Sequence, residues 1–384
     1  MEVDYDHFAP AVVRDPVPIW AQLREHSGLH SPNHGGFHLV CRYADVLTVL
    51  RDTETFTSSK GNRIPNMPFP PMIPVDIDPP AHRGYRRILN PPLSPQNVAP
   101  MEDSIRAQAV ELIEAFAGQR TVDFCAAYAI PLPKRIAIRL IGFPEEDLAQ
   151  IDEWVEGMTS GQRDDGIAAH GPAFFGYVQQ FVQTRRSTPR TDDMTSVLLD
   201  ATIEGRPLEE GEIVMTLILL LFGGLHTTTS AIAGMVMWLA DHSEARERLR
   251  TQPELHASAI DEFLRWVTPV PQLGRVATRD TDVAGCPMKA GDTVMVVFGA
   301  GNRDPQQFPD PDEVILDRFP NRHLGFGMGP HRCVGSHLAN LMLRITLEEV
   351  LRRMGDFRIA DHDQLEWSGG EARGLRRLPL VLEG

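Results

Sequence analysis

The run Phe326-Gly327-Met328-Gly329-Pro330-His331-Arg332-Cys333-Val334-Gly335 governs how the rest of this chain is read. It sets one cysteine in a glycine-rich loop just before a strongly helical stretch. A thiolate at a helix N-terminus gains from the partial positive charge and unpaired amide donors there, which predicts a lowered pKa and an anionic sulfur. Gly327, Gly329 and Gly335 permit backbone conformations that a Cβ resists, so the loop can curl its amides around the sulfur and admit a flat cofactor. On residues alone Cys333 is a metal-ligand candidate, and an inert buried cysteine in a glycine-rich turn is the competing reading.

Composition bounds the problem. A chain of 384 residues can bury an extensive core, and no linker divides it, so a single unit over residues 1–384 without a fused reductase is expected. The other cysteines, Cys41, Cys125 and Cys286, lie far from Cys333 and from each other, with no C-x-x-C spacing. That pattern argues against a structural zinc site or a disulfide framework and for a reducing compartment. The start, Met1-Glu2-Val3-Asp4-Tyr5-Asp6, lacks the basic and apolar runs of a signal peptide, which predicts a soluble, cytoplasmic protein without a membrane anchor. A formal net charge of −15 disfavours nucleic-acid binding. Arg83, Arg86, Arg87 and Arg332 still form a local basic set that could steer an acidic protein partner.

Strand character is expected at 36–41, 274–278 and 292–297. The pattern from His82 to about Val214 is helical, with breaks at Pro91, Pro131, Pro144 and Pro189. Seven prolines between Ile64 and Pro80 exclude regular helix there. The sum is mainly α with a minor β region. From Ile213 to Ala240 no residue carries a formal charge, a length that satisfies the criterion for a membrane span. Its centre holds Gly223, Gly224, His226, Thr227, Thr228, Thr229 and Ser230, a polar cluster costly in hydrocarbon. A long helix buried on all sides fits better.

The cysteine run matches every defining position of F-G-x-G-x-H-x-C-x-G, and the chain is thereby identified as resembling the haem-thiolate monooxygenases, the cytochrome P450 superfamily. The resemblance extends from about Asp15 to Val381 and is nearest the soluble bacterial members served by a separate ferredoxin. It implies haem b (iron protoporphyrin IX), with Cys333 as iron ligand, Phe326 and His331 in its loop, and a long central helix over the haem. Gly223-Gly224-Leu225-His226-Thr227-Thr228 resembles the family's oxygen-activation segment. There Thr227 would be the hydroxyl that passes protons. His226 departs from the pattern, since the family usually has Asp or Glu. An imidazole, with an ordinary pKa of about 6.5, can relay protons too, although a neutral ring does so only by exchanging tautomers. A core histidine bonded to a neighbouring helix is the other reading of His226.

Three further matches complete the resemblance. Glu262-Phe263-Leu264-Arg265 puts two opposite charges on one helix face, an ordinary exposed pair if taken alone. With Arg318 in Leu316-Asp317-Arg318-Phe319-Pro320 it resembles the family's buried Glu-Arg-Arg network. His82 and Arg86, one helical turn apart, together with Arg275 and His331, resemble the propionate contacts. The substrate pocket would be lined by the 64–73 loop and by Leu219, Phe222, Gly223, Val270 and Gln272, largely apolar, with Asn66 and Gln272 as polar anchors. The implied activity is insertion of one atom of O2 into a small or medium hydrophobic molecule, by hydroxylation or O-dealkylation. Electrons would come from NAD(P)H through a ferredoxin reductase and ferredoxin. A peroxide-driven or atypical haem-thiolate enzyme, suggested by His226, and a haem-binding sensor without turnover stay open as alternatives.

Overall fold

Helix Glu210–Asp241 runs 32 residues through the middle of the molecule. Its start is set by a capping box in which Glu209 and Glu212 satisfy each other's exposed amides. The half from Ile213 to Leu225 packs with Ile138 and Ile141 of helix Pro131–Ile141 and with Phe174, Val178 and Val182 of helix Arg163–Arg186. The half from Ala231 to Ala240 packs with Leu338, Met342 and Ile345 of helix Ser336–Arg353. Being shared between two cores explains why it is apolar on so many sides. Among the described residues it is the one helix long and apolar enough to cross a membrane. It is not buried all round, however: Leu219, Phe222, Gly223, His226 and Thr227 face a cavity. This computed structural model describes residues 1–66, 70–159, 163–370 and 372–383.

The three expected strands meet in one five-stranded sheet, ordered Leu29–Ser31, Phe37–Val40, Thr293–Val296, Leu273–Ala277, Phe56–Thr57. Val294 lies opposite Arg275 in antiparallel register and opposite His38 in parallel register. A smaller sheet sets Pro379–Glu383 between Thr121–Asp123 and Asp356–Ile359. Its three-residue first strand is too short for alternation to reveal. Helices dominate the rest, and Pro91, Pro144 and Pro189 fall between them, both as expected. Pro131 opens helix Pro131–Ile141 rather than interrupting one, because its missing N–H belongs to the unpaired first turn.

Glu262 and Arg265, on helix His256–Val267, are both fully buried. Arg265 grips the Glu262 carboxylate through two bonds of 2.8 Å, and Arg318 Nε donates to both oxygens at 3.0 and 3.1 Å. The Ile315 amide and Asn321 Nδ2 complete the carboxylate's donors. The remaining guanidinium protons go to carbonyls of Asn302, Pro311 and Glu313 from Arg265, and of Pro309 and Asp310 from Arg318. Every charge is therefore met, the condition under which a buried network is tolerable. Asn302 passes the constraint on. Its side-chain oxygen accepts from the Leu324 amide at 2.7 Å, at the entrance to the cysteine loop.

Burial alone would raise the Glu262 carboxyl, but Arg265, the Ile315 amide and Arg318 outweigh it and hold the group below its ordinary 4.5. A carboxylate depressed in the fold stabilises it above that value and loses the contribution as pH falls through the folded pKa. Arg318→Ala, which removes the buried carboxylate's second cation, should cost about 3–5 kcal/mol in denaturant unfolding. Removal of the exposed Lys289–Asp280 pair should leave the unfolding midpoint nearly unchanged in the same measurement. Equal effects at the two sites would contradict this account of the network.

Candidate active site

The cysteine loop is built on two left-handed residues, Gly327 (φ 64°) and Gly329 (φ 73°). At Gly329 a Cβ would sit 2.4 Å from the Leu50 carbonyl oxygen, so only glycine allows the loop to lie against the helix Tyr43–Arg51 backbone. Gly335 has ordinary φ and serves differently: it precedes helix Ser336–Arg353, and its amide donates to the Cys333 sulfur. The Cys333 amide returns to the Phe326 carbonyl at 2.8 Å, closing the loop. One expectation fails. Although Cys333 keeps accessible surface, protein packed around the sulfur desolvates it and pushes the thiol up, against the weaker lowering by the Gly335 amide, Arg86 and Arg332. Helix-terminal partial charge is thus insufficient here, and stabilising the thiolate is left to a bound metal.

Beside this loop lies a cationic cluster. Arg275 is buried, donates to its neighbour's carbonyl at Gly274, and has no carboxylate within ion-pair distance among the described residues. His82, from helix Ala81–Leu89, is buried with its ring 4.4 Å from that of His331. Burial, then the nearby Arg86, pushes His82 down to about 4; burial, then Arg275, pushes His331 down to about 3. Burial likewise lowers Arg275 to about 10. The nearest acid, Asp78, is 3.8 Å from His331 and is already held by Thr57, Ser58 and Ser59. His331 Nδ1 is buried with no hydrogen-bond partner. A buried guanidinium and an orphaned imidazole nitrogen demand an anionic acceptor. The two carboxylates of haem b meet that demand, so the residues fit the group. Arg86 differs from the expectation in part: its guanidinium reaches the Arg332 carbonyl at 2.7 Å and Asn90, bracing the cysteine loop.

Against the central helix lies a cavity of about 1000 Å³. Leu219, Phe222, Gly223 and Val270 line it as expected, together with His226 and Thr227. Thr227 donates its hydroxyl proton to the Gly223 carbonyl at 2.6 Å, and Ser230 does the same to His226 at 2.7 Å, the competition with backbone bonding that the threonine-rich centre suggests. Gln272 is a correction. It is buried outside the large cavity's lining and borders a smaller crevice with Asn62 and Gly274, where its side-chain amide is held by the Gly370 carbonyl. Asn66 is exposed and bonds the Lys60 carbonyl instead. Residues 67–69 of the proline-rich loop lie outside the described residues, while Pro65 and Met72 line the cavity.

The lining is also less apolar than expected. Lys134 pairs with Asp152, and Arg376 with Glu156, all four along the cavity. These residues come from elements far apart in the chain, and no local pattern brings Arg376 of the C-terminal hairpin to a helix 220 residues earlier. The hairpin pairs strand Glu366–Ser368 with strand Gly374–Arg377. Its approach is close enough that a Cβ on Gly374 would collide with Ser230 of the central helix at 2.1 Å.

Comparison with known proteins agrees with this geometry. Residues 164–364 match the Cytochrome P450 family model. The steroid C26-monooxygenase of Mycolicibacterium smegmatis is 35% identical over 86% of this chain and 83% of that protein. The mycinamicin IV hydroxylase/epoxidase of Micromonospora griseorubida is 34% identical over 89% of each. The structure of the Bacillus subtilis bacillaene polyketide synthase cytochrome P450 PksS superposes with a TM-score of 0.91 at 28% identity, covering 99% of this chain and all of that one. A glycine-bedded cysteine, an anion-seeking cluster beside it and a threonine-lined cavity in a chain related over its whole length lead to one conclusion: it belongs to the cytochrome P450 family and is a haem-dependent monooxygenase.

Proposed function

We propose that this enzyme oxidises a large, mainly apolar substrate that also carries polar groups, using electrons from NAD(P)H delivered by a ferredoxin reductase and ferredoxin. The cavity carries the substrate reading. At about 1000 Å³ it stands at the upper end of small-molecule sites, larger than a small hydrophobe needs. Its apolar wall of Leu219, Phe222 and Val270 lies by Thr227, while the Lys134–Asp152 and Arg376–Glu156 pairs offer donors and acceptors elsewhere along the lining. Relatives named for steroid and mycinamicin oxidation are consistent with a substrate of that size.

Haem held through a thiolate would supply activation of dioxygen and insertion of one of its atoms into a carbon–hydrogen bond, the other leaving as water with the two delivered electrons and two protons. In this reading Cys333 provides the sulfur, with the Gly335 amide donating to it. Arg275, His82 and His331 hold the carboxylates. Phe326 closes the loop by accepting from the Cys333 amide, and Arg86 braces it through the Arg332 carbonyl. Thr227 and His226 handle protons at the cavity wall. Thr227 has its proton on the Gly223 carbonyl and keeps lone pairs to accept from a donor; His226 stands one residue away with an imidazole that can take one proton and give another. Glu262, Arg265 and Arg318 keep the loop in position without touching substrate. Arg83, Arg87 and Arg332 are exposed around the cysteine side, a surface suited to an acidic ferredoxin. The single unit is expected to work in the cytoplasm.

The reading is tested first by the reduced carbon monoxide difference spectrum. The wild type should give the band typical of thiolate ligation, and Cys333→Ser should lose it while keeping its helical circular dichroism. An unchanged band would remove Cys333 from the metal. Thr227→Ala should lower product formed per NAD(P)H by roughly tenfold or more, with the deficit appearing as peroxide. His226→Asp should shift the same ratio toward product. Turnover by peroxide alone, with none from ferredoxin, would favour the peroxide-driven alternative that His226 suggests. Gly223 tests the cavity itself, because nothing lies within 4 Å of where its Cβ would be. Gly223→Val should change stability by less than about 1 kcal/mol. It should also weaken binding of a steroid-sized ligand about tenfold, a change of about 1.4 kcal/mol, as read by spin-state titration.

A further inference from the structure

A second group of ligand-type side chains lies apart from the cysteine loop. Asp6 and His7, in the N-terminal segment, and His34, in the turn before strand Phe37–Val40, each offer one donor atom, and the three donors lie within 4.8 Å of one another. We propose that Asp6, His7 and His34 bind a divalent transition-metal ion, zinc being the natural fit, at a site separate from the haem.

The donor set selects the ion. Two imidazoles and one carboxylate suit zinc and its neighbours, whereas calcium and magnesium require shells of oxygen. Zinc bonds of about 2.0–2.2 Å place tetrahedral donors on the order of 3.3–3.5 Å apart, so donors within 4.8 Å need only small side-chain rotations to close on an ion. One Asp6 oxygen accepts from the Phe8 amide at 2.9 Å and meets His34 Nε2 at 2.8 Å. The other accepts no hydrogen bond among the described residues.

The scaffold brings the two segments together in advance. The Val3 amide donates to the His30 carbonyl at 2.9 Å, Ser31 Oγ to the Tyr5 carbonyl at 2.9 Å, and Asn33 Nδ2 to Asp4 at 3.0 Å. His34 itself takes a left-handed conformation, φ 53° and ψ 34°, which costs energy in a residue with a side chain. His7 is buried, Asp6 half-buried and His34 exposed, leaving an open side for entry and for a water as fourth ligand. Phe8 and His34 also line the large cavity. The ion therefore clasps the N-terminal segment to the 33–36 turn where the cavity meets solvent. Without an ion the same residues form an ordinary His34–Asp6 pair with a second ring alongside.

Zinc binding separates the two. The chelator-treated holoenzyme would be dialysed to equilibrium against zinc, and zinc counted per haem iron by elemental analysis. One zinc per chain is expected, with the dissociation constant raised at least about tenfold by His34→Ala, Asp6→Asn and His7→Ala. His362→Ala, an exposed histidine paired with Asp241 elsewhere, should bind as the wild type does. Wild type retaining no more zinc than His34→Ala, or His362→Ala losing as much, would overturn the proposal. Retained haem absorption certifies each variant's fold. Should the buried His7 variant fail that check, the exposed His34 variant decides.

Discussion

The buried Glu262 carboxylate is the constraint on which the rest of the molecule depends. Moving a carboxylate out of water costs several kcal/mol, and an isolated one would take up a proton or force the core apart. Here Arg265 and Arg318 meet it from two directions, and their spare protons collect carbonyls from the whole segment 302–313. One anion thereby fixes a helix, an irregular loop and the approach to Cys333. An irregular segment has no backbone ladder of its own, so its shape has to be borrowed from side chains, and guanidinium groups with five fixed donors are suited to lend it.

The two sides of the site follow opposite electrostatic rules. Around the cysteine loop the buried Arg275 has no carboxylate within ion-pair distance among the described residues, and His331 Nδ1 has no hydrogen-bond partner. Along the cavity charges are matched in pairs, Lys134 with Asp152 and Arg376 with Glu156. An excess of buried cation is costly in an empty protein and becomes favourable when a dianion arrives, so cofactor uptake and folding are coupled. Matched pairs leave little net field and instead present adjustable hydrogen-bonding groups to a substrate.

The central helix joins both functions. Its ends are core, and its middle replaces large side chains with Gly223, Gly224 and hydroxyl-bearing residues that bond back to the helix's own carbonyls. This exchanges packing for a wall of hydroxyl groups beside the cavity. Gly374 then brings the C-terminal hairpin against Ser230, so the cavity is closed by a segment that local sequence gives no reason to expect there.

Much of this was legible in the chain itself. The cysteine loop, the 28-residue uncharged run and the strands near 37, 274 and 293 rest on short-range rules of glycine conformation, helical period and strand alternation, whereas the link of the E-x-x-R pair to Arg318 comes from the family resemblance. The minor sheet strand at 121–123 was too short to announce itself, and Pro131 was read as a break because an N1 proline and a helix-ending proline look alike without the neighbouring helix. Gln272 is expected in the substrate pocket from its position in the chain, yet its amide bonds the Gly370 carbonyl beside a smaller crevice. The raised Cys333 thiol, the unpaired Arg275, and the ion pairs between residues 134 and 152 and between 156 and 376 could be decided only by tertiary structure. Each depends on how much protein surrounds a charge and on which distant residue reaches it, quantities that do not exist until the chain has folded.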